Sequence, residues 1–206
     1  MKWSFIFDIG GVLLDFDLAR LVVLASRGDE PCARALLGLR DHPSLREVES
    51  GFITGKEYHA RFIRPAVPHW TFRDLVEGWK TVFSENSEGL ALVRHVRARG
   101  ASVYLLSNLA DYNKIAIEEQ FPNFFGLSDG NFLSYELGCI KPDPVIFNRV
   151  LTAIGSPPGR CVFLDDTPGH VAAARALGIH GFVFEKGKSR DMKRQLDALM
   201  ASDTSE

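Results

Sequence analysis

The sequence predicts an α/β fold in which a parallel sheet flanked by helices is interrupted near its start by an all-helical block. Three observations carry this. Four short apolar runs, at residues 3–7, 102–106, 161–164 and 181–184, have the composition of strands buried on both faces. Helical patterns separate the later runs at the spacing of βαβ units. Between the first run and the second lies a long stretch of helical patterning that contains no convincing strand.

Taken in order, the first run continues as Phe5-Ile6-Phe7-Asp8-Ile9-Gly10-Gly11-Val12. It brings one carboxylate to the end of a buried strand, and a glycine pair then lets the backbone turn sharply. In open α/β sheets, ligands bind in the crevice beyond the carboxyl ends of the strands, which makes Asp8 a candidate site residue. On its own, Asp8 reads equally well as the start of a turn. Helices follow at residues 19–26, 31–39, 44–49, 55–63 and 72–83, with Thr54 and Glu57 at capping-box spacing. The block follows Asp8 directly, so it is placed to pack over the sheet edge and cover that residue. The expected division is a core of residues 1–16 and 87–206 with an inserted unit of residues 17–86.

The remaining helices are expected at residues 90–99, 110–120, 144–154 and 168–177. Gly100, Gly155 and Gly178 stand where left-handed residues end helices. Residues 202–206 read as a frayed polar tail.

With 206 residues, 46% of them hydrophobic, the chain can build one full domain carrying a smaller one. A net charge of −2 gives no reason to expect nucleic acid or an anionic membrane as partner. The basic stretches 95–99 and 186–194 read as solvated faces or loops. Cys32, Cys139 and Cys161 are too few and too scattered for a disulfide framework, which suits a reducing compartment. No run approaches the ~18 apolar residues of a membrane span, and no secretory signal precedes the first strand. The expected setting is cytoplasmic, and the sequence carries no signal for oligomeric state.

Three further stretches echo Asp8. Val103-Tyr104-Leu105-Leu106 is followed by Ser107-Asn108, whose hydroxyl and backbone N–H groups could hold an anion, though Ser-Asn is also common turn chemistry. In Ile140-Lys141-Pro142-Asp143-Pro144 the lysine precedes a proline, which diverts the chain there. Asp143 can cap the helix that Pro144 begins. Val162-Phe163-Leu164-Asp165-Asp166 ends a strand in two adjacent carboxylates, which repel one another unless a cation or hydrogen-bond donors share the site. Mg²⁺ takes one or two carboxylates together with waters and phosphate oxygens. Asp8 and Asp166 would make such a pair if their strands were neighbours.

The order of Asp8-Ile9-Gly10-Gly11-Val12, Ser107, Lys141 and Asp165-Asp166 resembles the four ordered motifs of the haloacid dehalogenase (HAD) superfamily of hydrolases, over nearly the whole chain. The helical block sits where that family inserts a cap domain, and Glu49-Ser50-Gly51-Phe52-Ile53-Thr54 is similar to a segment of such caps. Within the superfamily, the segments around Asp8 and Asp165 look most like the small sugar-phosphate phosphatases, those similar to bacterial α-glucose-1-phosphate phosphatase, and like the N-terminal phosphatase domain of soluble epoxide hydrolase.

This resemblance implies a Rossmann-like core and a Mg²⁺-dependent phosphatase acting on a small phosphorylated metabolite such as a sugar phosphate. Asp8 would be the nucleophile, forming an aspartyl-phosphate that water hydrolyses. Asp8, the carbonyl of Gly10 and Asp166 would hold the metal. Ser107, Asn108 and Lys141 would bind the phosphate, and Asp165 would act through water on the metal or by orienting Lys141.

One departure stands out: most phosphatases of the superfamily carry a second aspartate where this chain has Gly10. It supplies general acid–base help worth roughly 10²–10⁴-fold. Water on the metal, Asp15, Asp17 or a cap residue could take its place. His170 falls where relatives carry another acidic residue, yet reads as a helix-surface histidine; His42, His59, His69, His95 and His180 show no ligand spacing. Arg46, Glu49 and Trp79 are candidates for specificity, with ordinary helix-face or core roles as the simpler reading. Two rival functions remain open: a metal-independent 2-haloacid dehalogenase, and a non-catalytic module that binds a phosphate ligand.

Overall fold

The computed structural model describes residues 2–201, so the tail expected at residues 202–206 lies outside the described residues. The first strand, β1 (Ser4–Phe7), is buried along its whole length and becomes the middle of the sheet. After the Gly10-Gly11 turn a short strand, β2 (Leu14–Phe16), leads into the helical block. The block comprises α1 (Leu18–Ser26), α2 (Glu30–Gly38), α3 (Pro43–Glu49), α4 (Gly55–Tyr58), a π-turn at His59–Ile63, α5 (Arg64–Ala66) and α6 (Phe72–Val82). It closes on β3 (Phe83–Glu85), which pairs antiparallel with β2, Phe16 opposite Phe83. The block therefore leaves and rejoins the core through one two-stranded ribbon.

The core continues with α7 (Ser87–Arg97), β4 (Ser102–Ser107), α8 (Asp111–Gln120), β5 (Gly130–Leu133) and α9 (Ser134–Leu137). It ends with α10 (Pro144–Ile154), β6 (Cys161–Asp165), α11 (Pro168–Ala176), β7 (His180–Val183) and α12 (Ser189–Ala201). The sheet order is β5-β4-β1-β6-β7 and every pairing is parallel. Side chains alternate across β1. Phe5 and Phe7 join Leu92, Val96 and Leu196 on one face, while Ile6 joins Ile146, Phe147 and Val150 on the other. Both faces are thus covered by helices, as a parallel sheet requires. Among the described residues no helix is long and apolar enough to cross a membrane.

The α/β class and the four expected strands, β1, β4, β6 and β7, stand as expected, within a residue or two at their ends. The capping box forms as read: Glu57 N–H donates to Thr54 Oγ1 at 3.2 Å, and Thr54 N–H donates to Glu57 Oε2 at 2.8 Å. Asp143 caps α10 through Val145 N–H at 2.9 Å. Other elements differ. β2 and β3 are three residues each, too short to show an alternating pattern, and Phe83, expected to end a helix, begins β3 instead. β5 opens with Gly130-Asn131, which reads as a turn, and it becomes a strand because the exposed edge of β4 offers it a ladder. The basic stretch 186–194, read as a solvated helix face or loop, runs into helix α12, and Met192 and Leu196 anchor that helix to the core.

Candidate active site

Sheet register assembles the site. Phe7 pairs with Leu105 on one side and Leu164 on the other, so the next residue of each strand reaches the same carboxyl edge. Asp8 N–H donates to Leu164 O at 2.9 Å, which fixes where the Asp8 side chain leaves the sheet. Ser107 ends β4, Asp165 ends β6, and the chain order reverses about β1 between those two neighbours. That is the topological switch point at which such sheets bind ligands.

Lys141 fills the centre. Its Nζ lies 2.9 Å from Asp8 Oδ2 and 2.6 Å from Asp165 Oδ2, and donates to Leu106 O at 3.2 Å. These three contacts use all three ammonium protons, and the side chain is completely buried. Burial disfavours the charged amine, but the two carboxylates outweigh it and hold the lysine above its ordinary range. Asp8 behaves oppositely: burial pushes its carboxyl up to about 6, against the pull of Lys141 and hydrogen bonds from Lys141 and Ser107. Burial would raise Asp165 too, yet hydrogen bonding from His170 and the charge of Lys141 hold it well below the usual carboxylate range.

Asp165 is fully satisfied by protein donors. Thr167 N–H reaches its Oδ1 at 2.8 Å, and His170 Nδ1 lies 3.1 Å and 3.0 Å from its two oxygens. His170 is therefore no helix-surface histidine; it braces Asp165 from α11 and lines the cavity. Asp166 is more exposed, and burial together with Asp165 pushes its carboxyl up. It packs against Gly11, where a Cβ would come within 2.2 Å of Asp166 Oδ2, and Gly11 holds φ +75°. Only glycine tolerates that combination.

Asn108 has a role that its turn-like context hid. Its side chain donates to Lys141 O at 3.0 Å and accepts from Lys141 N–H at 2.8 Å, clamping the lysine's backbone to the end of β4. Asp8, Gly10, Ser107, Asn108, Lys141 and Asp166 all line one cavity of about 390 Å³ beneath the helical block. Asp15 and Asp17 do not line it. Asp15 accepts from Asn86 and pairs with Lys186, and Asp17 caps α1. Arg46 is also absent from the lining, whereas Trp79 and Glu49 are part of it. Glu49 reaches in from the end of α3, and burial pushes its carboxyl up to about 7, with Lys141, Arg46, Asp8 and His170 as its charged neighbours. Ser134 holds that corner in place, donating to Glu49 O at 2.6 Å while accepting from Leu109 N–H at 2.9 Å. Four of the other histidines meet structural partners: His42 caps α3, His59 meets Trp70 O, His95 meets Asp197 and His180 meets Gly159 O.

The chain is 25% identical to a D-ribitol-5-phosphate phosphatase of Bacteroides thetaiotaomicron, covering 97% of this chain and 98% of that one. It is 30% identical to a sesquiterpene phosphatase of Aspergillus oryzae over 44% of this chain and 46% of that one. A crystal structure of a HAD family enzyme from Bacteroides thetaiotaomicron, in complex with magnesium and inorganic phosphate, superposes with a TM-score of 0.78 at 24% identity, covering 91% and 96% of the two chains. Residues 4–178 match the haloacid dehalogenase-like hydrolases as a family, and the chain belongs to that family.

Proposed function

We propose that this protein is a Mg²⁺-dependent phosphatase that hydrolyses a small phosphomonoester through a phosphorylated Asp8. The observation that carries the reading is convergence: Asp8, Ser107, Lys141 and the Asp165-Asp166 pair, distant in sequence, meet at one end of one cavity. A D-ribitol-5-phosphate phosphatase among the relatives, and magnesium with phosphate in a structural neighbour, support it.

The residues present fit the metal. Asp8 and Asp166 are hard oxygen donors lining the same cavity, both pushed up by burial. The single ammonium nearby is fully committed to Asp8, Asp165 and Leu106 O. Such a surplus of desolvated carboxylate suits a divalent cation. Asp8, the Gly10 carbonyl and Asp166 would hold it, and when bound it supplies positive charge toward the phosphate oxygens.

The protein's own groups account for the remaining steps. Asp8 attacks phosphorus as a carboxylate, kept ionised and aimed by Lys141. Ser107, which now hydrogen-bonds Asp8, turns its hydroxyl toward a phosphate oxygen beside the Asn108 N–H. Asp165 keeps Lys141 in place and is itself kept in place by His170. Positioning and electrostatics of this kind carry most of the catalysis in phosphoryl transfer. Gly10 offers no carboxyl for the leaving group, and Glu49 is the group placed to do so, giving its proton to the departing alkoxide and then taking one from the attacking water.

The helical unit of residues 17–86 acts as a cap over the core of residues 1–16 and 87–206, hinged at the β2–β3 ribbon. The sugar phosphate implied by the sequence resemblance has the ribitol-phosphate relative in its favour, and the terpenoid relative points to another alcohol. A cytoplasmic setting is proposed from the three free thiols. The test is Asp8→Asn, assayed on p-nitrophenyl phosphate with Mg²⁺. Turnover should vanish while circular dichroism stays unchanged, and undiminished turnover would overturn the assignment.

A further inference from the structure

The cavity changes character along its length. Its floor is the polar cluster around Asp8 and Lys141, while its walls, supplied by the helical block, are apolar: Leu21, Val22, Leu36, Ile63, Leu75 and Trp79. Apart from Glu49 beside the floor, the only charged side chain that the block contributes is Arg40. The hydroxyl of Tyr58, which could otherwise face a polar ligand, is engaged by Ser44. At the mouth stand Phe16 and Leu37, apolar side chains that are 49% and 56% exposed. A polyol seated against such walls would find Arg40 as the one charged partner the block offers beyond Glu49, and each hydroxyl left unpaired costs about tenfold in binding. Hydrocarbon placed there gains from every buried methylene. The volume, about 390 Å³, falls within the range that encloses a drug-sized ligand.

We infer that the alcohol half of the substrate is a hydrocarbon: the cavity takes a phosphomonoester of an aliphatic or isoprenoid alcohol, phosphate on the Asp8 floor and chain along the walls of the helical block. This rests on the phosphatase reading of the floor. The bond cleaved is unchanged, a phosphate P–O bond to a primary alcohol, so the alcohol alone varies.

The experiment is a series of phosphate esters of methanol, butanol, octanol, geraniol and farnesol, below their aggregation limits, beside D-ribitol 5-phosphate, all with Mg²⁺. kcat/KM should climb about fourfold per added methylene along the alkyl series until the cavity is filled, with geranyl or farnesyl phosphate far above the ribitol ester. A flat series, or ribitol 5-phosphate exceeding octyl phosphate, overturns the inference while leaving the phosphatase reading intact. No hydrolysis of any ester, p-nitrophenyl phosphate included, overturns both. Binding gives a readout independent of turnover: by calorimetry, octylphosphonate should bind more tightly than butylphosphonate, with a more negative heat-capacity change. Equal affinities would count against an apolar wall. Leu37→Glu, at an exposed rim position that tolerates charge, should lower kcat/KM for octyl phosphate more than for butyl phosphate. An unchanged ratio would remove the rim from the chain's path.

Discussion

At the scale of single residues, charge balance decides. Lys141 is buried between two carboxylates, so Lys141→Met should leave Asp8 and Asp165 uncompensated and cost about 3–5 kcal/mol of stability, read from urea unfolding. Adding Asp165→Asn should recover part of that loss, because one of the stranded charges is gone. Glu49→Gln should lower kcat about 10²–10⁴-fold, and more for alkyl than for p-nitrophenyl esters, since a poor leaving group needs the proton most. It should also change how stability depends on pH. A carboxyl raised from 4.5 to about 7 favours its protonated form in the fold, so its contribution is full below the lower value and declines as pH rises through the higher. Removing that ionisation should stabilise the protein by about 1–3 kcal/mol at pH 8 relative to pH 4, measured by unfolding in EDTA. An unchanged gap between the two pH values would show that Glu49 ionises freely in the fold.

At the scale of elements, the junction between α3 and α9 determines where the helical block sits. Ser134 is wholly buried and joins Glu49 O to Leu109 N–H. At Gly51 a Cβ would lie 2.1 Å from Tyr135 O, so the two segments touch backbone to backbone. Ser134→Ala should leave Leu109 N–H and Glu49 O short of a partner, costing about 1–3 kcal/mol. Because Glu49 then loses its anchor, kcat should fall further than stability alone accounts for, which parallel kinetics and unfolding would reveal. The same scale explains the expectations that missed. β2, β3 and β5 are made by their neighbours: each is short or turn-like in sequence and becomes a strand only where a ladder is available.

At the scale of the whole molecule, the sheet and its two apolar faces form without any metal ligand taking part, so metal removal should silence the enzyme without unfolding it. EDTA should abolish turnover while leaving circular dichroism unchanged, and Mg²⁺ at a hundredfold excess over Kd should stabilise the fold by about 2.7 kcal/mol through the crowded carboxylates, read as a higher Tm. Persistent turnover in EDTA would remove the metal from the reaction. The apolar walls also belong to this scale, since α1, α2, α6 and the β2–β3 ribbon each contribute part of a surface that none presents alone.

The sequence by itself determined the parallel sheet and the candidates Asp8, Ser107, Lys141 and the Asp165-Asp166 pair. A buried strand must be apolar throughout, so a carboxylate or hydroxyl at its end stands out. Tertiary structure alone decided which groups act together. His170 and Asn108 read as surface and turn residues, and they became braces because α11 turns back onto the end of β6 and the loop before α10 returns to the end of β4. Glu49 reached the cavity through the fold of the helical block, and burial there, which no local pattern encodes, set its proton affinity.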